Sequence, residues 1–366
     1  MKSSCLLLTL RTFSDNGGIQ RSGRILAKSL QDIYQSEFKM YSLYDGDLDQ
    51  RYIEPEHFTG FNGRKLSFVF RILKSTTKVL IVNHIHLIAF ALLLKIFNVK
   101  LKIVLVAHGT EVWRAMPWWK RYFLRKHVNI WAVSDYTNKV LRDKHGLVKI
   151  NTIHLCLDPF WQLPRDFKKP VYLLRRYNLP HDARIMFTLC RKNTHDREKG
   201  YERVINLIPG LKKEIPELHY FIAGRTNRSE SIRLRKTIAA LNLSNCVHLM
   251  EQIDEAELVD HYLLADLFIM PSTKEGFGMV FTEAAVSGCM VIAGDADGSR
   301  EALIYGHLGL TVDASDPRAL HNSVKNSLAN PLNRQRKYQQ QSLALNEFNY
   351  EKYRTKIQQS LEQCES

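Results

Sequence analysis

The stretch Pro271-Ser-Thr-Lys-Glu275-Gly-Phe-Gly-Met-Val-Phe-Thr-Glu283-Ala-Ala-Val-Ser-Gly288 decides how the rest of this chain is read. Two carboxylates, Glu275 and Glu283, bracket a Gly276-Phe277-Gly278 turn that runs into an apolar, small-residue helix. A glycine turn opening a helix offers free backbone N–H groups and the positive end of the helix dipole, a ready site for a phosphate. Glu283 falls in the first turns of that helix, where it could accept hydrogen bonds from a ribose diol. Glu275 falls just outside, where a sugar carried beyond the phosphates would lie. Phosphate, ribose and sugar together describe a nucleotide sugar.

Outward from this stretch, short apolar runs alternate with amphipathic helical segments, the pattern of parallel sheets covered on both faces. Strands are predicted at residues 5–10, 38–44, 79–82, 102–106 and 129–133, and again at 184–189, 219–223, 247–249, 267–270 and 290–293. Between the two sets, residues 154–170 are rich in Pro, Asp and aromatics and read as a linker. The expected division is 1–165, 166–345 and a final helix, 346–366. Tyr350, Tyr353, Ile357 and Leu361 recur at helical spacing in that tail, which either crosses back to the first domain or closes the second. Residues 79–99 are apolar, but Asn83, His84, His86 and Lys95 interrupt them, so they read as strand, turn and helix. The apolar run at 5–10 is too short for a signal peptide and reads as the first strand.

Other strand ends carry polar residues suited to the same ligand. The first strand leads to Gly17-Gly18 and then a helix, a phosphate-cradling arrangement that is weak evidence alone, since turns use glycine everywhere. The fourth ends in Val106-Ala-His108-Gly-Thr-Glu111, where a histidine could donate to a sugar hydroxyl or phosphate oxygen. The second half opens with Phe187-Thr-Leu-Cys-Arg191-Lys-Asn-Thr-His195-Asp-Arg197-Glu-Lys199-Gly200. Arg and Lys here would neutralise a departing diphosphate, a task fixed cations can perform in place of a metal ion.

Taken together, these segments resemble the retaining glycosyltransferases of family 4, with their E-x7-E signature. The resemblance runs over nearly the whole chain, is strongest at 187–303 and is thin at 47–78. It implies a GT-B fold: two Rossmann-like doubly wound α/β domains facing a central cleft, an acceptor-binding domain (1–165) and a nucleotide-sugar-binding domain (166–345). It implies that Gly17 and Gly18 meet the donor phosphate, that Arg191 and Lys199 hold the diphosphate, and that Gln252 and Ile253 hold the base. Glu275, Gly276, Phe277 and Gly278 would hold the sugar and Glu283 the ribose, with His108 on the sugar and acceptor side. Retention of configuration rests on the resemblance. Two departures stand out: Cys190 occupies a usual glycine position, and the following loop is long, which leaves the register between Arg197 and Lys199 open.

The net charge is +15, and residues up to Arg165 carry 25 Lys and Arg against 12 Asp and Glu. Such an excess calls for an anionic partner. Residues 113–131 interleave aromatics with cations, which suits a lipid headgroup interface as well as it suits single-stranded nucleic acid or an ordinary helix. The six scattered cysteines form no C-x-x-C pair and read as reduced thiols. The expectation is therefore a hexosyltransferase acting on a nucleotide sugar and a saccharide or lipid-linked acceptor in surface polysaccharide or glycolipid assembly. It would need no cofactor or metal and bind no nucleic acid, in the cytoplasm or peripherally on an anionic membrane. The alternatives are a GT-B epimerase or phosphorylase, an inactive nucleotide-sugar-binding subunit, and a basic nucleic-acid-binding protein, which would leave Glu275 and Glu283 unexplained.

Overall fold

The computed structural model describes residues 4–194 and 196–365; His195 lies outside them. The chain forms two compact units, one built from residues up to 160 and from 348 onward, the other from 161–347.

The first unit holds a seven-stranded parallel sheet made of β1 (Cys5–Thr9), β2 (Phe38–Ser42), β3 (Phe58–Gly60), β4 (Val79–Val82), β5 (Lys102–Ala107), β6 (Val128–Ala132) and β7 (Ile150–Thr152). Their order across the sheet is β3-β2-β1-β4-β5-β6-β7. The three central strands, β1, β4 and β5, are dominated by Leu, Ile and Val and covered on both faces, as parallel sheets require. The helix Gly18–Tyr34 joins β1 to β2. The Asp135–His145 helix shows how local sequence sets its ends: the Ser134 hydroxyl accepts from Thr137 N at 3.0 Å, and left-handed Gly146 ends it.

The second unit holds a six-stranded parallel sheet, β8 (Arg184–Leu189), β9 (Leu218–Ala223), β10 (Val247–Leu249), β11 (Leu267–Met270), β12 (Met290–Gly294) and β13 (Leu310–Val312). Its order is β10-β9-β8-β11-β12-β13. The ten predicted strands are all present. β3, β7 and β13 were missed; each is a three-residue edge strand, too short to show periodicity.

The first unit ends at Phe160, a few residues before the expected boundary. The reason lies in residues 161–165. Trp161 sits against the Tyr262 ring at 6.0 Å. The carbonyls of Pro164 and Arg165 accept from Gln341 and from Tyr338. The final helix, Tyr350–Glu365, packs on the first unit. Trp131 Nε1 donates to Ser360 Oγ at 2.7 Å, the Tyr350 hydroxyl donates to Asp32 at 2.6 Å, and Tyr353, Ile357 and Leu361 are buried. No described helix is long and apolar enough to cross a membrane.

Candidate functional site

In the second unit the strand order reverses between β8 and β11, which lie side by side while their crossovers run in opposite directions. Loops leaving two such strands part and open a crevice at their carboxyl ends. The loop after β8 carries Arg191 and Lys199; the loop after β11 carries Glu275 to Gly278. Two residues far apart in sequence thereby meet. Lys199 Nζ lies 2.5 Å from Glu275 Oε2, each side chain keeping just under a fifth of its surface, 19% and 17%. Burial works against the Lys199 ammonium, but the Glu275 charge and hydrogen bond overcome it and raise its pKa. The two loops are tied further by Thr273 N donating to Glu198 O at 2.9 Å and by the Lys274–Glu198 ion pair at 2.6 Å.

The Glu275 backbone is held from the loop after β12. Its N–H donates to Asp297 Oδ2 at 2.6 Å, and its carbonyl accepts from Gly298 N at 2.9 Å. Burial, with the nearby Glu275 charge, pushes the Asp297 carboxyl up to about 6. A Cβ on Gly298 would stand 2.1 Å from Gly276 O, so glycine is required for this close approach. Gly278 has φ +90°, and a Cβ there would meet the Phe281 ring at 2.5 Å and Glu275 Cγ at 3.0 Å. The turn that aims Glu275 is thus fixed by sterics on both sides, with Phe277 fully buried beneath it.

The remaining predicted residues of this unit divide. Arg191 is 62% exposed, with Nε 3.5 Å from Asp196. Arg197 turns to Glu230, 3.4 Å away, within a cluster formed by Tyr201 and Arg233. Of the two cations whose register the sequence left open, Lys199 is the one beside Glu275. Glu283 lies within the Met279–Val286 helix and is only 2% exposed; Tyr262 OH donates to its Oε2 at 3.0 Å. It therefore sits deeper than a residue on the helix's open end would. Gln252 is exposed and Ile253 half-buried in the loop after β10.

Sequence reasoning missed Lys192, which is wholly buried. Its Nζ donates to the carbonyls of Gly224 at 2.5 Å, Met250 at 2.7 Å and Ile222 at 3.3 Å, gathering the ends of β9 and β10. Burial depresses its pKa to about 8. A lysine amid charged neighbours in a loop gave no signal of this. Cys190, which stands in the usual glycine position, is a half-buried thiol that desolvation pushes up to about 12.

The first unit has its own reversal point, between β1 and β4. The loop after β1 that leads to Gly17 and Gly18 is clamped from two sides. Asp45, fully buried, accepts from Thr12 N at 2.6 Å and from both Ser14 N at 2.9 Å and Ser14 Oγ at 2.6 Å. Arg24 donates to the carbonyls of Thr12 and Asp15 at 2.9 and 2.8 Å. At the end of β5, His108 Nε2 lies 3.1 Å from Asn83 O and 3.0 Å from Asn83 Oδ1. Both neighbours are oxygens, so Nε2 carries the proton and donates to them. Burial, with the nearby His84, holds the ring down to about 3. His108 is thus neutral, its donor is used within the fold, and Nδ1 is left as an acceptor. Glu111, also missed, accepts from His108 N and Gly109 N at 2.6 and 3.2 Å, and burial raises it to about 7.

The β8–β11 reversal, with a lysine–glutamate pair over a glycine turn, lies within residues 177–343, which match the sequence profile of glycosyl transferases group 1. These residues are thus similar to a group 1 glycosyl transferase domain. A GDP-mannose-dependent alpha-(1-6)-phosphatidylinositol monomannoside mannosyltransferase of Mycolicibacterium smegmatis is 31% identical over 140 residues, 36% of this chain and 36% of that protein. A D-inositol 3-phosphate glycosyltransferase of Thermobispora bispora is 30% identical over 165 residues, 43% of this chain and 38% of that one. The matched stretch thus spans little more than a third of these relatives. Among solved structures, sucrose-phosphate synthase from Thermosynechococcus elongatus has a TM-score of 0.79 at 18% identity, covering 99% of both chains. Anabaena Alr3699/HepE in complex with UDP and glucose also reaches 0.79, at 16% identity, covering 99% of this chain and 100% of that one. The fold is GT-B.

Proposed function

We propose that the chain transfers a hexosyl-type sugar from a nucleotide diphosphate sugar to an acceptor hydroxyl, with retention of configuration. The observation that carries this reading is the Lys199–Glu275 pair over the Gly276-Phe277-Gly278 turn. A departing diphosphate needs positive charge close to the bond that breaks, and a preorganised lysine supplies it without reorganisation during the reaction. Lys199 would take the phosphate oxygens, and the more exposed Arg191 would swing onto the diphosphate when the donor binds. Glu275 would accept from the sugar hydroxyls, its orientation kept by Asp297 and Gly298. Glu283, buried against Tyr262, would meet the ribose from beneath. In the first unit Gly17 and Gly18 would present backbone N–H groups to phosphate, and Nδ1 of neutral His108 would accept from a sugar or acceptor hydroxyl.

No pair of opposed carboxylates supports a double displacement among these residues. The acceptor would approach the same face that the diphosphate leaves. Its oxygen forms the new bond to the anomeric carbon as the bond to phosphate breaks, and its proton passes to the departing phosphate oxygen. The protein's part is to orient and to neutralise charge, and no metal is required for it. The names of the relatives, a phosphatidylinositol monomannoside mannosyltransferase among them, support a lipid-linked or phosphorylated acceptor.

The test is a thermal-shift panel of UDP, GDP and ADP and their common sugars, with and without magnesium. Selective stabilisation by one nucleotide family, undiminished without magnesium and lost in Lys199→Ala, is expected. No shift with any nucleotide at millimolar concentration would overturn the reading.

A further inference from the structure

The positive charge of the chain is concentrated in one segment. Between His57 and Ser134 there are 13 Lys and Arg and a single acidic residue, Glu111, whose carboxylate is turned inward to backbone N–H groups. The three longest helices of this segment are Lys65–Leu73 between β3 and β4, Ile88–Phe97 between β4 and β5, and Trp118–His127 between β5 and β6. All three crossovers step the same way across the sheet, so right-handed connection places the helices on one face.

Each helix buries one apolar stripe in the core and exposes a second. On Lys65–Leu73 the inner stripe is Phe68 and Ile72; the outer one is Leu66, Phe70 and Leu73, at a spacing of four and three. Ile96 and Phe97 end the next helix, and Val99 follows them. Trp118 and Tyr122 form the outer stripe of the third, while Trp113, Trp119 and Phe123 of the same aromatic cluster pack on the core. The outer residues are between 40% and 87% exposed. A helix facing water carries polar side chains there; a second apolar stripe has no such explanation. Exposed cations are interleaved with these residues, among them Lys65, Arg71, Lys74, Lys100, Arg121 and Arg125. Lys74 Nζ sits over the Phe70 ring at 4.2 Å.

We propose that this helical face docks the protein on an anionic lipid bilayer, its apolar stripes entering the acyl boundary and its cations meeting lipid phosphates. Net positive charge alone would fit nucleic acid equally well. The aliphatic members decide between them: Leu66, Leu73, Ile96 and Val99 have no π face to stack on a base and no group to pair with its edge. An interfacial helix combines a basic rim with an apolar face in this way. The assignment does not depend on the transfer reaction.

The experiment is flotation of the 366-residue chain with vesicles of phosphatidylcholine alone and of phosphatidylcholine mixed with phosphatidylglycerol, at low and at high salt. The protein is expected to float with the mixed vesicles and not with phosphatidylcholine alone, with a residual bound fraction at high salt owed to the apolar stripes. Combined Leu66→Ser, Phe70→Ser, Phe97→Ser and Val99→Ser substitution should abolish that residual fraction. Each charge removed, as in Lys74→Gln or Lys100→Gln, should weaken binding about fivefold. All variants alter exposed side chains and should keep the wild-type melting temperature and nucleotide response. Absence of flotation with either vesicle would overturn the proposal. So would flotation indifferent to the serine substitutions, or binding to single-stranded RNA that outcompetes the vesicles, which would assign the face to nucleic acid.

Discussion

Lys199 and Glu275 come from loops 76 residues apart in sequence, and the Glu275 charge and hydrogen bond hold the buried Lys199 ammonium in its charged form. Replacing Lys199 by Met would leave the Glu275 carboxylate without its counter-ion. Because both side chains retain some solvent, the expected loss of stability is about 2–3 kcal/mol, at the lower edge of the range for a fully buried pair. Urea unfolding would measure it. The expected fall in kcat is on the order of a hundredfold or more. Raised above its ordinary value, the Lys199 pKa makes this contribution complete at neutral pH, lost only as pH climbs past 10.5 and through the folded value. Near-wild-type turnover in Lys199→Met would remove Lys199 from the reaction. Lys192 is the opposite case: burial lowers its pKa to about 8, so the folded state holds its proton less tightly than the unfolded chain does. Stability should therefore rise with pH across the window from about 8 to 10.5. The difference in unfolding free energy between wild type and Lys192→Met isolates this group. It should move in favour of wild type over that window, and a flat difference would contradict the assignment.

At the scale of elements, the turns are the fragile parts. Gly278 opens the Met279–Val286 helix at φ +90° with no room for a methyl group. Gly278→Ala should cost about 2 kcal/mol or more and weaken nucleotide binding together with it, since the displaced turn carries Glu275. Calorimetry and nucleotide titration on the same sample would show both; unchanged binding would mean that the turn does not shape the site. Interior strands were legible because β1, β4, β5 and β11 are continuous apolar runs that only a doubly covered sheet explains. The edge strands β3, β7 and β13 were not, because three residues at a sheet margin are selected by the neighbour they pair with. In the candidate site, Glu275, Lys199 and the glycines could be named from the linear pattern. Lys192, Asp297 and Asp45 could not, because most of their partners are main-chain groups on other loops and strands, and a carbonyl or N–H leaves no trace in the sequence.

For the whole molecule, the chain leaves the first unit at Phe160 and returns to it at Phe348. Leu157 N donates to Phe348 O at 2.8 Å where the two passages meet. The returning helix covers Trp131 and Asn151 of β6 and β7 through Ser360. Ending the chain after Glu347 would expose the surface under Tyr353, Ile357 and Leu361, each worth about 1.5–3 kcal/mol of burial. Hydrogen exchange should then quicken in β6 and β7 and stay unchanged in β11 and β12. Equal protection of β6 and β7 with and without the helix would show that the first unit is stable without it.

By itself, the sequence determined the alternation of strands and helices, the presence of two sheets and the glycine turn between Glu275 and Glu283. These follow from hydrophobic period and backbone permissiveness, properties each segment carries alone. The tertiary structure decided what depends on proximity: that Lys199 rather than Arg197 reaches Glu275, that His108 spends its donor on Asn83, and that the last helix belongs to the first unit. It also decided which aromatics of residues 113–131 face inward. A side chain's partner, and hence its charge and hydrogen-bonding role, is set by elements distant in the chain, and only packing brings them together.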